Sequence, residues 1–243
     1  MSTPVKTIFQ IKYESKINFF DRLYKNEELI EKFPHWETDR LRVTLHDFEK
    51  KHSLTIAHNN ATYNSDLYDE NNEDEIISFL ISKITNIVDD GSFSRIGLRR
   101  FYLIKQEMSF DELVEIIYLK LFADDFQKLF INPIENSSIT INANYNEYKY
   151  RLILQPIQKD EVPKLIQYSD YHLERDLPKR MEELNKIFFS YPDVALLLDI
   201  DYFLVEKKLR QESLIKFWDT SRRDINHIIK NIISMIFEEK IKK

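Results

Sequence analysis

Apolar side chains fall mostly on every second position of VKTIFQIKY (residues 5–13), the period of a half-buried β-strand. Over residues 18–33 the spacing changes to that of a helix, carrying Phe20, Leu23, Tyr24 and Ile30, and Pro34 closes it. LRVTL (41–45) and SLTIA (53–57) predict two short strands joined by a charged turn. The Asn-rich stretch 58–72 reads partly as a third strand and partly as a solvated loop. A clear amphipathic helix follows: Asn72 is placed to cap it, Glu75 stands three residues on, and Ile76, Leu80, Ile81, Ile84, Ile87 and Val88 form the buried stripe. Gly91 stands where a helix takes its left-handed C-terminal residue.

Longer elements then repeat this order. Residues 93–104 predict a strand, Ser109 and Glu112 form a capping box opening a helix to about residue 130, and SITINANY with YKYRLIL predicts a hairpin around Asn146-Glu147. The stretch 158–192 holds one short strand and a helix near 177–188, with Pro178 in its first turn. VALLLDIDYFL (194–204) is the most apolar strand, and a helix over 212–240 closes the chain. Strand, helix, strands, helix is thus given twice, in halves 1–90 and 91–243 that meet near Gly91, without a residue-level repeat. The predicted class is α+β: a mostly antiparallel sheet with helices on one face, two related halves and a long C-terminal helix. Long helices gripping a curved sheet leave a concavity for a ligand or partner.

Composition narrows the chemistry. At 243 residues, 43% of them hydrophobic, the chain can bury one sizeable core or two small ones. Thirty-five Lys and Arg against 41 Asp and Glu give a net charge of -6, so bulk charge does not support a nucleic-acid partner. The absence of cysteine removes disulfides, thiolate nucleophiles and sulfur-ligated metals. Only two glycines are present, and a Rossmann fingerprint, a P-loop and a nucleophile elbow each need glycine in a pattern that cannot be written here. No segment reads as a signal peptide or membrane span, so the expectation is a cytoplasmic protein without a membrane partner.

Candidate chemistry gathers on two strands. In extended chain, Arg95, Gly97, Arg99, Phe101 and Leu103 share one face, which sets Gly97 between two guanidinium groups. A missing side chain there lets a backbone, ring or anion approach, and flanking arginines suit a carboxylate or phosphate. In the alternative the arginines pair with acidic side chains of a neighbouring strand. Asp199 and Asp201 are the counterparts: two apart in the most apolar strand, they face one way and must be paired, metal-bound or solvated. Asp-x-Asp is also how a Mg²⁺-dependent phosphoryl or nucleotidyl transferase holds its ion, although the Gly-Ser element of the latter is absent. Arg222 and His227 match the loose Arg-x4-His spacing of HEPN-type ribonucleases, which are all-helical; five apart on a helix, these two stand about 140° apart. His46, His52 and His58, six apart across a proposed strand pair, read as a coincidence of surface positions rather than a zinc site. The apolar stripe of the last helix, with Leu214, Phe217 and Trp218, either covers the sheet or reaches a second subunit, which brings in a homodimer.

Arg95-Ile96-Gly97-Leu98-Arg99, the later Leu198-Asp199-Ile200-Asp201 and the closing helix resemble, in order and spacing, an uncharacterised prokaryotic family of similar length, described only as sporadically distributed conserved proteins. That family shows an R-h-G-h-R strand and a later h-D-h-D strand, and expects an aromatic and then an asparagine soon after the second arginine, where this chain has Arg100-Phe101-Tyr102. The resemblance implies no established activity, and its patchy occurrence implies mobile or defence-related gene neighbourhoods. The leading expectation is a non-catalytic binding or regulatory protein holding a small anionic ligand or a protein segment around Arg95, Gly97 and Arg99. It needs no cofactor; Mg²⁺ enters only with the transferase alternative.

Overall fold

Nine strands among the described residues make one sheet, and its order explains why the chain reads as two halves. The described residues are 4–15, 19–24, 28, 31–33, 35–39, 41–66, 70–122, 135–166, 182, 186 and 189–238 of a computed structural model. The helix expected near 177–188 lies almost wholly outside them, as does 123–130 of the helix expected to reach residue 130.

The first half runs β1 (Pro4–Tyr13), α1 (Phe19–Tyr24), β2 (His35–Thr38), β3 (Arg42–Asp47), β4 (His52–Ala57), β5 (Asn60–Ser65) and α2 (Glu70–Ile87). The second runs β6 (Phe93–Lys105), α3 (Phe110–Leu121), β7 (Ile139–Tyr145), β8 (Tyr148–Gln158), α4 (Val162–Leu165), β9 (Val194–Leu209) and α5 (Gln211–Phe237). The sheet order is β2-β3-β4-β5-β1-β6-β9-β8-β7, and each neighbouring pair is antiparallel. In each half the first strand pairs with the last, β1 with β5 and β6 with β9, and the two first strands join at the centre. The fold is α+β with the predicted antiparallel sheet, and both halves share that sheet.

Strand alternation sends apolar side chains to one face, where the helices cover them. Phe9, Ile11, Leu54, Tyr63, Ile96, Leu98, Leu198, Ile200 and Tyr202 meet Ile77, Leu80 and Ile84 of α2, Leu113 and Ile117 of α3, and Leu214, Phe217, Ile225 and Ile229 of α5 in one core. At 1.5 Å per residue the 27-residue α5 is about 40 Å long. Its stripe is buried against the chain's own elements from Leu214 to Ile236, so it covers the sheet. No helix among the described residues is long and apolar enough to cross a membrane.

Local expectations are met unevenly. Ser109 and Glu112 make both bonds of the predicted capping box, and Asn146 takes the left-handed φ of +56° in the β7–β8 turn. Asn72 is not the cap of α2, because the helix begins at Glu70 and the Asn72 amide instead meets His52 Nδ1 at 2.9 Å. Gly91 lies beyond the end of α2, in a turn closed by the Ser92 N–H donating to the Asp89 carbonyl at 3.1 Å. Its φ of +76° is the conformation that favours glycine at the third position of such a turn.

Candidate functional site

The face opposite α2, α3 and α5 carries the polar rows of the sheet, which the registers align across the strands. One row runs Thr44, Thr55, Thr62, Gln10, Gly97, Phe203 and Lys149. The next brings Arg99, Asp201 and Arg151 side by side on β6, β9 and β8. One end of this face is closed by a second apolar cluster, in which Val162 of α4, Ile166 and Tyr191 pack on Phe101, Ala195 and Leu197. Close by, Lys6 and Asp66 form a buried ion pair at 2.9 Å.

The four charged side chains singled out from the sequence come together between β6 and β9. Arg99 grips Asp199 with two parallel bonds, Nε to Oδ1 at 2.8 Å and Nη2 to Oδ2 at 2.6 Å. This fork-on-carboxylate geometry is the strong form of the pair, and the Asp199 bond holds the Arg99 guanidinium above its ordinary pKa. Arg95 is held more loosely: Nη2 lies 3.3 Å from both Asp201 oxygens, and Nη1 donates to Gln10 Oε1 at 2.9 Å. Each guanidinium also stands over a phenyl ring, Arg95 over Phe203 at 5.1 Å and Arg99 over Phe101 at 4.7 Å. Burial foremost raises the Asp201 carboxyl, against the pull of Arg95 and Arg99.

Gly97 is what lets Arg95 reach. Asp201 sits opposite Arg99, so Arg95, opposite Val205, must cross position 97 to touch it. A Cβ on Gly97 would lie 3.1 Å from Arg95 Nη2 and 3.2 Å from its Cζ. The obstructing group is the end of a flexible side chain, so Gly97→Ala is expected to keep the fold within about 1 kcal/mol while lifting Arg95 off Asp201. Urea denaturation checks the first part, and the ¹⁵Nη/¹Hη signals of Arg95 the second.

Sequence reasoning passed over three further cations on this face. Arg151 stands opposite Asp201, Lys149 opposite Phe203 and Lys12 opposite Arg95. All three are exposed, and none makes an ion pair among the described residues. The signal was available for two of them, because Lys149 and Arg151 alternate with the buried Tyr148, Leu152 and Leu154. On the inner face it also passed over Arg100, whose Nη2 donates to Glu73 Oε2 at 2.7 Å.

The other candidates are not assembled. Asp199 and Asp201 are already engaged by guanidinium groups, and among the described residues no group of three or more His, Asp or Glu is placed to hold a metal ion. Arg222 stands over Trp218 and pairs with Asp74 of α2 at 2.6 Å, whereas His227 is exposed and meets Asn231 at 3.0 Å. His46 and His52 lie on opposite faces, His46 opposite Ser53 and His52 opposite Ser65, and both are buried.

Fold and site together define an antiparallel α+β protein of two related halves with two Arg–Asp pairs on the sheet face opposite α2, α3 and α5. The chain matches no protein-family model and none of the curated proteins.

Proposed function

We propose that this is a non-catalytic binding or regulatory protein that holds an anionic group, free or carried on a protein segment, on the sheet face opposite α2, α3 and α5. The observation that carries this reading is the excess of positive charge there. Arg95 and Arg99 are balanced by Asp201 and Asp199, while Lys12, Lys149 and Arg151 form no ion pair among the described residues and Arg151 faces an Asp201 already shared with two other arginines, in a chain whose net charge is -6. Ion pairs stacked on rings fix the shape of the surface, and the unbalanced cations supply the attraction. Asp199 and Asp201 then serve to hold the arginines. The R-h-G-h-R and h-D-h-D motifs behind the family resemblance are the two neighbouring strands of this one site. The mobile or defence-related setting implied by that resemblance is part of the proposal.

Calorimetric titration with inorganic pyrophosphate tests it. Binding that weakens with salt is expected for the natural sequence, with a loss of about tenfold in Lys149→Gln/Arg151→Gln. Both replaced side chains are exposed, so the melting temperature should hold. A natural sequence that binds no pyrophosphate at millimolar concentration overturns the reading.

A further inference from the structure

We infer that the anionic group held on this face is a phosphoryl group, and that it docks by displacing the Asp201 carboxylate from Arg95. The inference rests on the reading of the face as an anion site, and names both the ligand chemistry and the group that competes with it.

The two Arg–Asp pairs are unlike each other. Asp199 is buried, with 7% of its side chain exposed, and is held by a two-bond fork. Asp201 is 27% exposed, and both of its contacts to Arg95 are long, at 3.3 Å. It also has three arginines around it: Arg99 lies opposite on one neighbouring strand, Arg151 opposite on the other, and Arg95 reaches in across Gly97. Directly opposite side chains on a sheet have Cβ atoms about 5 Å apart and diagonal neighbours about 7–8 Å, so Arg151 and Lys149 both reach the space beside Asp201. Asp201 therefore occupies, from within the chain, the place where an external anion meets the largest number of cations.

That arrangement selects among anions. A carboxylate from solution offers the one charge and two oxygens that Asp201 already supplies, and Asp201 is tethered, so its effective concentration is far higher. A phosphoryl group carries up to two charges and three acceptor oxygens, enough to engage Arg95, Arg151 and Lys149 at once, and can displace the tethered carboxylate. Gln10 and Phe203 hold the Arg95 guanidinium over Gly97, so its Nη2, which touches Asp201 only at 3.3 Å, can pass to the incoming anion without the side chain leaving its place. Burial favours the neutral form of Asp201, which eases its release.

Calorimetric titrations of inorganic phosphate and of acetate into the natural sequence, Asp201→Asn and Arg151→Gln test the inference. Asp201→Asn is expected to bind phosphate about tenfold more tightly than the natural sequence, Arg151→Gln about tenfold more weakly, and acetate to bind the natural sequence far more weakly than phosphate does. Thermal melts establish that each variant is folded, and Asp201→Ser repeats the test should the asparagine variant fail to fold. Phosphate affinity that is unchanged or reduced in Asp201→Asn while Arg151→Gln still weakens it removes the displacement and leaves the anion site standing. Acetate binding as tight as phosphate binding removes the phosphoryl assignment. If no variant binds either anion, the inference and the anion-site reading fall together.

Discussion

Arg100→Met is expected to cost about 3–5 kcal/mol of unfolding free energy at neutral pH. Arg100 sits on the apolar face of the central strand β6, and its partner Glu73 lies in the first turns of α2; their side chains are 3% and 2% exposed. Removing the guanidinium leaves a carboxylate in the core, a cost that far exceeds the loss of one contact. Burial already pushes the Glu73 carboxyl above its ordinary 4.5, with Arg100 the strongest opposing influence and a hydrogen bond to Thr7 a further one. Without Arg100 that carboxyl rises further and takes up a proton in the folded state. For a carboxyl raised on folding, the folded state binds the proton more tightly, so its contribution is present below the unfolded pKa and is lost as pH rises. The deficit of Arg100→Met should therefore be larger at pH 7 than at pH 5. Urea denaturation at the two pH values measures it, and Arg100→Met/Glu73→Met should recover most of the loss, because no buried charge remains. A single-variant cost under about 1 kcal/mol would show that the pair does not hold α2 to the sheet.

The faces of the strands were legible in the sequence, and so was one contact between strands, Arg95 and Arg99 with Asp199 and Asp201, because carboxylates on an apolar strand need a charged counterpart; the other neighbours were not. A period of two is enough to set Arg95, Gly97 and Arg99 on one side of β6 and Asp199 and Asp201 on one side of β9, because each strand carries an apolar run on its other side. That β1 lies on the other side of β6 depends on contacts some 85 residues apart in the chain, and no local pattern encodes them. For the same reason Arg151 could be placed on a face but not beside Asp201, and Arg100 could not be matched with Glu73. The short edge strand β2 escaped because its four residues, HWET, are all exposed and carry no alternation. At Asn72 a tertiary contact overrode local propensity: a good capping residue was drawn inside the first turn of α2 by His52. Gly97 was legible as a place of close approach, but only the structure shows that the approaching group is Arg95 of its own strand.

His52 is expected to give this protein a loss of stability between pH 6.5 and about 4. The ring is buried on β4 between Phe33 and Tyr63, its Nδ1 meets the Asn72 amide at 2.9 Å, and its Nε2 lies 3.8 Å from Asp47 Oδ2. Burial lowers its pKa from 6.5 to about 4, with Asp47 pulling the other way and Lys50 adding to the depression. The folded state thus keeps His52 neutral where the unfolded chain would bind a proton. Stability from this group is complete above pH 6.5 and drains away as pH falls toward 4, by about 3 kcal/mol at most. His46, also lowered by burial, contributes in the same direction. Glu112, Glu147 and Glu182 all have lowered pKa values, so their share is lost as pH falls through and below their ordinary 4.5, whereas Glu73 and Asp201, both raised by burial, add stability as pH falls and oppose the histidines, so the His52 share is read from the difference between natural sequence and variant. Urea midpoints measured in half-unit steps of pH between 6.5 and about 4 should fall more steeply in the natural sequence than in His52→Gln, whose amide can keep a bond to Asn72 without titrating. Equal slopes in the two proteins would locate the pH dependence elsewhere, and an NMR titration placing His52 near 6.5 in the folded protein would remove its physical basis.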